Sequence, residues 1–175
     1  MGAAPATLHA LLSEAIGLKD VARAGWLRVG VGAPESVAAH AWGVAWLVLA
    51  LCPPGVDRGR ALAIAVLHDL AEVRVGDLTP HDPVPREEKR AREAAAMEDL
   101  LRPLPNAAEL LALWDEYESG STPEGRLVKA CDRLDMALQA RRYAEGEGAD
   151  PRGFLASALA GLEPGILRDL AAFEG

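Results

Sequence analysis

Three features of the sequence predict an all-α fold. Apolar residues recur at three- and four-residue spacing along nearly the whole chain, alternating strings rich in β-branched residues are almost absent, and Gly or Pro marks the ends of the periodic segments. A chain of 175 residues, 50% of them apolar, fits one compact domain over residues 1–175 and leaves little room for a second.

The elements follow in order. Ala6 to Ile16 reads as a first helix, with Pro5 near its start and Gly17 just past its end. Glu35 to Leu51 makes a second, carrying the longest apolar stretch, Val37 to Cys52, which contains His40 and stops at Pro53-Pro54. A third runs from Arg58 to Ala71 with Asp57 as N-cap, before the turn-rich Gly76-Asp77-Leu78-Thr79-Pro80 and His81-Asp82-Pro83. Arg86 to Leu101 is a charged amphipathic helix, Ala107 to Glu118 a shorter one, and Pro123 to Glu145 a long one capped by Thr122. The tail, Gly146 to Gly175, supplies one or two closing helices.

Charge and cysteine usage narrow the function. A formal net charge of −8 argues against a nucleic-acid polymer as partner, because such binding rests on Lys and Arg neutralising phosphates. Cys52 and Cys131 are the only cysteines and form no C-x-x-C pair, so neither a disulfide framework nor a thiolate zinc site is indicated. With no signal-like or membrane-spanning stretch, the expected setting is the cytoplasm, without membrane partners.

Chemistry concentrates where a core helix should stay apolar. The run Ala61-Leu62-Ala63-Ile64-Ala65-Val66-Leu67 ends in His68-Asp69, followed by Glu72 and Asp77. Charged groups taken out of water are strongly disfavoured unless paired, and a cation is the usual partner when several cluster. His40 shares the stripe of Val37, Val44 and Leu47 and so points inward. On the long helix, Asp132 and Asp135 interrupt the apolar side, and at least one must face inward or sideways. Singly, each of these residues has a plain reading: a hydrogen-bonded core His40, a solvated Glu72, an Asx-type turn at Asp77, an Asp132 paired with Lys129 or Arg133. Together, His40, His68, Asp69 and Asp132 form a nitrogen and oxygen ligand set from three helices that suits one divalent ion: Mn²⁺, Co²⁺, Mg²⁺, Fe²⁺ or Zn²⁺.

The order His40, His68-Asp69, Asp132 resembles the H…HD…D signature of the HD-domain metal-dependent phosphohydrolases. The surrounding text is more specific: Glu35-Ser36-Val37-Ala38-Ala39-His40, the block from His68 to Pro80, Pro85-Arg86-Glu87-Glu88-Lys89, Leu113-Trp114-Asp115-Glu116-Tyr117-Glu118 and Lys129-Ala130-Cys131-Asp132-Arg133-Leu134-Asp135-Met136. These resemble the 5′-deoxynucleotidase-like branch over about residues 18–143. The resemblance implies a dimeric helical bundle that removes phosphate from deoxyribonucleoside 5′-monophosphates. It implies His40, His68, Asp69 and Asp132 as metal ligands, Glu72 beside the attacking water and Asp77 at the substrate. It also implies Arg23 at the phosphate and Trp26 at the sugar, with Arg28 as the alternative arginine.

Other readings belong to other classes: hydrolysis of a nucleoside triphosphate or alarmone, or a catalytically silent metal-binding interaction module. Three lysines, Lys19, Lys89 and Lys129, are few for a triphosphate. Trp42 and Trp46, four apart, read as packing or an oligomer contact, and Trp114 as core. The run Arg86 to Glu93 reads as a solvated face of i,i+4 pairs from which Lys89 could reach an anion. His9 and His81 carry no predicted role.

Overall fold

The computed structural model describes residues 3–147, 150 and 152–173; the outer parts of the predicted domain and tail, residues 1–2, 148–149, 151 and 174–175, lie outside the described residues. The helices are α1 (Pro5–Ile16), α2 (Ala24–Arg28), α3 (Val37–Leu51), α4 (Arg58–Leu67), α5 (Glu72–Val75), α6 (Arg86–Leu101), α7 (Ala107–Ser119), α8 (Pro123–Glu147), α9 (Arg152–Gly161) and α10 (Ile166–Ala172), with a 3₁₀ turn at Gly17–Asp20. Among the described residues the only β feature is an isolated antiparallel bridge between Ala22 and Ser36. No helix among them is long and apolar enough to cross a membrane.

Caps written in the sequence set several boundaries. Ser36 Oγ accepts from Ala39 N, Asp57 Oδ1 from Arg60 N and Thr122 Oγ1 from Gly125 N, each satisfying an amide that the first turn leaves unbonded. Gly120, in the left-handed region at φ 61°, closes α7 by donating its N–H to the carbonyls of Glu116 and Tyr117.

Three elements depart from the sequence expectation. The third helix does not run to Ala71: it stops at Leu67, and the chain turns through residues 68–71 into α5. Its imidazole explains the break, because His68 Nδ1 donates to the Ala65 carbonyl at 2.7 Å and takes the acceptor a continuing helix would use. The 3₁₀ turn and α2 are too short to show a period in the sequence.

α3, α4, α7 and α8 enclose the main core, where Val44, Val48, Ile64, Ala65, Val128, Cys131 and Leu134 are fully buried. Ala158, Leu162 and Ala171 add α9 and α10 to the same core, so the tail packs as part of the bundle. A second cluster, Ala71, Ala96, Met97, Leu101 and Trp114, fastens α6 to α7 beside the site. α3 and α8 come unusually close at Gly43, where a Cβ would sit 2.1 Å from Asp135 Oδ1.

Trp42 and Trp46 do not pack inside the chain. They are 71% and 53% exposed and lie with exposed Leu49 on one stripe of α3.

Candidate metal centre

Four elements bring their side chains to one point. α3 carries His40, the end of α4 carries His68 and Asp69, and α8 carries Asp132 and Asp135. The fourth is the segment leading into α2: Arg23 N donates to Glu35 O and Val37 N to Val21 O, so the bridge ties Arg23 to the start of α3. Ligand atoms of His40, His68 and Asp132 all lie within 4.8 Å of one another. Asp69 Oδ2 is 3.2 Å from His68 Nε2 and 3.7 Å from His40 Nε2, and Asp132 Oδ1 is 3.2 Å from His40 Nε2.

The ring nitrogens show what this cluster is suited to hold. His68 Nδ1 faces a carbonyl, which can only accept, so this nitrogen carries the proton and Nε2 of the neutral ring has a bare lone pair. His40 Nδ1 faces Asp135 Oδ2 at 2.7 Å, which fixes the same assignment. Both Nε2 atoms are buried without a hydrogen-bond partner, the neighbouring carboxylates standing outside hydrogen-bonding geometry. Two orphaned ring nitrogens converging with two carboxylates, each imidazole held from behind by an acceptor, fit a divalent cation, which would bind the neutral rings through Nε2. Without one, burial and Arg23 press His40 toward neutrality, yet Asp132 and Asp135 lift its pKa to about 10.

Acid crowding shapes the surroundings. Burial would raise Asp69, but His68, His40 and Arg23 hold it well below the carboxylate range. Asp132 is likewise drawn down to about 2, mainly by His40, against its burial. Glu72 goes the other way: it is 4% exposed, its Oε2 has no partner, and burial followed by the charges of Asp69 and Asp77 raises it well above the usual glutamate value. The guanidinium of Arg23 sits 3.7 Å from Asp69 and 3.8 Å from Asp77 and stays firmly protonated between them. Asp77 Oδ2 in turn accepts from Ala24 N at 2.7 Å.

The structure thus gathers His40, His68, Asp69, Asp132, Glu72, Asp77 and Arg23 around one point. Arg28 is elsewhere, paired with Asp82 on the surface. Trp26 lies on α2, three residues after Arg23. Its ring is 2% exposed, packed on Tyr143 and Phe154, and its indole N–H donates to Glu35, so a sugar would reach the ring only if this cluster opened. His9 and His81 are exposed.

Two supporting residues escaped the sequence reading in their roles. Asp135 holds His40, and its three-residue spacing from Asp132 was the available signal, since both share a helix face. Tyr117 donates to Asp132 Oδ2 at 2.9 Å, with its ring against His68 and the Lys129 ammonium 4.4 Å above it; no local pattern announces a contact between two helices. Asp135 yields a prediction. Asp135→Asn should weaken metal affinity about 10- to 100-fold through a misoriented His40. Gly43→Ala should do the same by pushing Asp135 aside, and calorimetric Mn²⁺ titration of both variants checks it; unaltered affinity in both would refute the support role.

Comparison with known proteins places these residues in company. Residues 16–165 match the family described as HD domain. The chain is 42% identical over 137 residues to the 5′-deoxynucleotidase HDDC2 of Bos taurus, covering 77% of this chain and 67% of that protein, so it spans about two thirds of that relative's length. A conserved hypothetical protein from Pyrococcus furiosus superposes with a TM-score of 0.71 at 38% identity over 86% of both chains. A predicted metal-dependent phosphohydrolase from Magnetospirillum magnetotacticum superposes with a TM-score of 0.72 at 30% identity, over 95% of this chain and 87% of that one.

Proposed function

This chain belongs to the HD-domain family, and on that premise we propose that it is a metal-dependent phosphomonoesterase, a 5′-deoxynucleotidase cleaving deoxyribonucleoside 5′-monophosphates to deoxynucleoside and phosphate. The observation that carries the reading is the pair of buried, unpartnered Nε2 atoms of His40 and His68 converging with Asp69 and Asp132 beside a half-buried arginine. The relatives named 5′-deoxynucleotidase supply the substrate class.

His40, His68, Asp69 and Asp132 would hold a divalent ion, which when bound would lend positive charge to the phosphoryl oxygens and acidify a nearby water. The protein does the rest. Arg23 presents a planar pair of donors to the phosphate, exchanging its contacts with Asp69 and Asp77 for charge-assisted bonds to the dianion. Asp77, fixed by Ala24 N, is left to accept from a substrate hydroxyl. Glu72, whose pKa burial and the charges of Asp69 and Asp77 raise above the usual glutamate value, takes the proton of the attacking water as that water's oxygen bonds to phosphorus and the ester bond breaks, the 5′ oxygen leaving with a proton as the nucleoside hydroxyl. Trp26 acts from behind in this reading, its N–H on Glu35 and its backbone N–H on Arg23 O holding the Arg23 segment in place.

The cytoplasm suits the two free thiols of Cys52 and Cys131. A homodimer closing over Trp42, Trp46 and Leu49 would cover the exposed stripe of α3, and a sedimentation mass of a single chain would argue against it.

The deciding experiment is phosphate release from deoxyribo- and ribonucleoside 5′-monophosphates and from nucleoside triphosphates, with chelated protein resupplied with Mn²⁺, Co²⁺, Mg²⁺ or Zn²⁺. Metal-dependent release confined to the deoxy monophosphates is expected. Release from triphosphates alone, or silence across the panel, would overturn the reading.

A further inference from the structure

The charge run that opens α6 is not uniform. Arg86, Glu87, Glu88, Arg90 and Arg92 are exposed, as a solvated face should be, but Lys89 is half-buried and Glu93 is only 9% exposed. Burying a carboxylate is costly unless it is paired, and Glu93 spends its charge on Lys89, 3.5 Å away. Helix stability is a poor reason for the pair, since lysine preceding glutamate by four is the weaker order against the helix dipole.

What the pair positions is an ammonium beside the site. Lys89 Nζ donates to the Leu78 carbonyl at 2.7 Å, one residue past Asp77, and its charge is felt by Glu72, Asp69 and Asp77. The loop carrying Leu78 is pinned elsewhere as well, by Ala24 N on Asp77 and by Thr79 on Asp82. An ammonium has three protons; Leu78 takes one and Glu93 faces another, leaving a donor for a ligand.

We propose that Lys89 is a second cation for the substrate phosphate, beside Arg23, and that Glu93 and the Leu78 carbonyl are what hold it there. This rests on the phosphomonoesterase reading for its substrate but not for its ligand, which is a phosphate group. A charge-assisted hydrogen bond of this kind is worth about 10- to 100-fold in affinity.

The test uses Mn²⁺-loaded full-length protein with Lys89→Met, Lys89→Arg and Glu93→Gln. Inorganic phosphate binding is measured by calorimetry, alongside KM and kcat for deoxyadenosine 5′-monophosphate. Lys89→Met should raise the phosphate Kd and KM at least about 10-fold with a smaller change in kcat, Lys89→Arg should recover most of it, and Glu93→Gln should fall between. A mere loop anchor would lower Tm and kcat and leave the phosphate Kd alone. Phosphate binding within twofold of the wild type in Lys89→Met, an arginine variant as impaired as the methionine one, or no phosphate binding by the wild type would each overturn the proposal. Lys89-dependent phosphate binding without cleavage of any deoxy monophosphate would instead sink the nucleotidase reading and leave this one standing.

Discussion

Replacing His68 and Asp69 together by alanine should abolish phosphate release, with a loss of at least about 10³-fold, the scale of a metal's several kcal/mol of charge stabilisation. The double variant removes two of the four converging groups and leaves His40 and Asp132, which cannot by themselves complete a site from three helices. Metal content after dialysis should drop with activity. Stability should change far less. The lost hydrogen bond from His68 to the Ala65 carbonyl and the space left by the ring cost about 1–3 kcal/mol, partly offset because Asp69 no longer crowds Glu72. A folded double variant that still releases phosphate at the wild-type rate would remove the metal-centred mechanism altogether.

How much of this was legible in the sequence depends on whether a residue's signal was local. Asp57 and Thr122 announce helix starts because a cap acts within three residues, and both boundaries hold. The stripe of Val37, His40, Val44 and Leu47 is local too, and all four are buried. The end of the third helix was misplaced because His68 serves the fold twice, its Nε2 facing the site and its Nδ1 capping the backbone. Composition shows an apolar run but not which carbonyl an imidazole will take.

Non-local placement is out of reach of periodicity and spacing, and only the family resemblance brings Arg23 to the site. Arg23 arrives at the site through one bridge between Ala22 and Ser36, a contact with no periodicity to reveal it. Trp26 sits three residues from Arg23 and reads as its companion at the substrate, yet α2 turns the ring toward Tyr143 and Phe154, over a hundred positions away in sequence. Lys89 reads as able to reach an anion, but the burial of Glu93 behind it is hidden in a run whose other charged members are solvated, because helical spacing tells which residues share a face but not how far that face tips inward.

Glu72→Gln separates the chemistry from the metal. Glutamine keeps the shape of the side chain and its fit in a buried slot while removing the ability to accept a proton at neutral pH. Metal content and the phosphate Kd should therefore stay near wild type while kcat falls about 10²- to 10⁴-fold, the range for losing a positioned general base. Tm should not drop, since the folded protein no longer holds a third carboxylate beside Asp69 and Asp77. Asp77→Asn, by contrast, should act mainly on KM, because Asp77 is held off by Ala24 N and Arg23 and touches substrate without moving its protons. Should Glu72→Gln lose its metal along with its activity, Glu72 would be a supporting ligand, and the base would have to be sought among groups that face the same water.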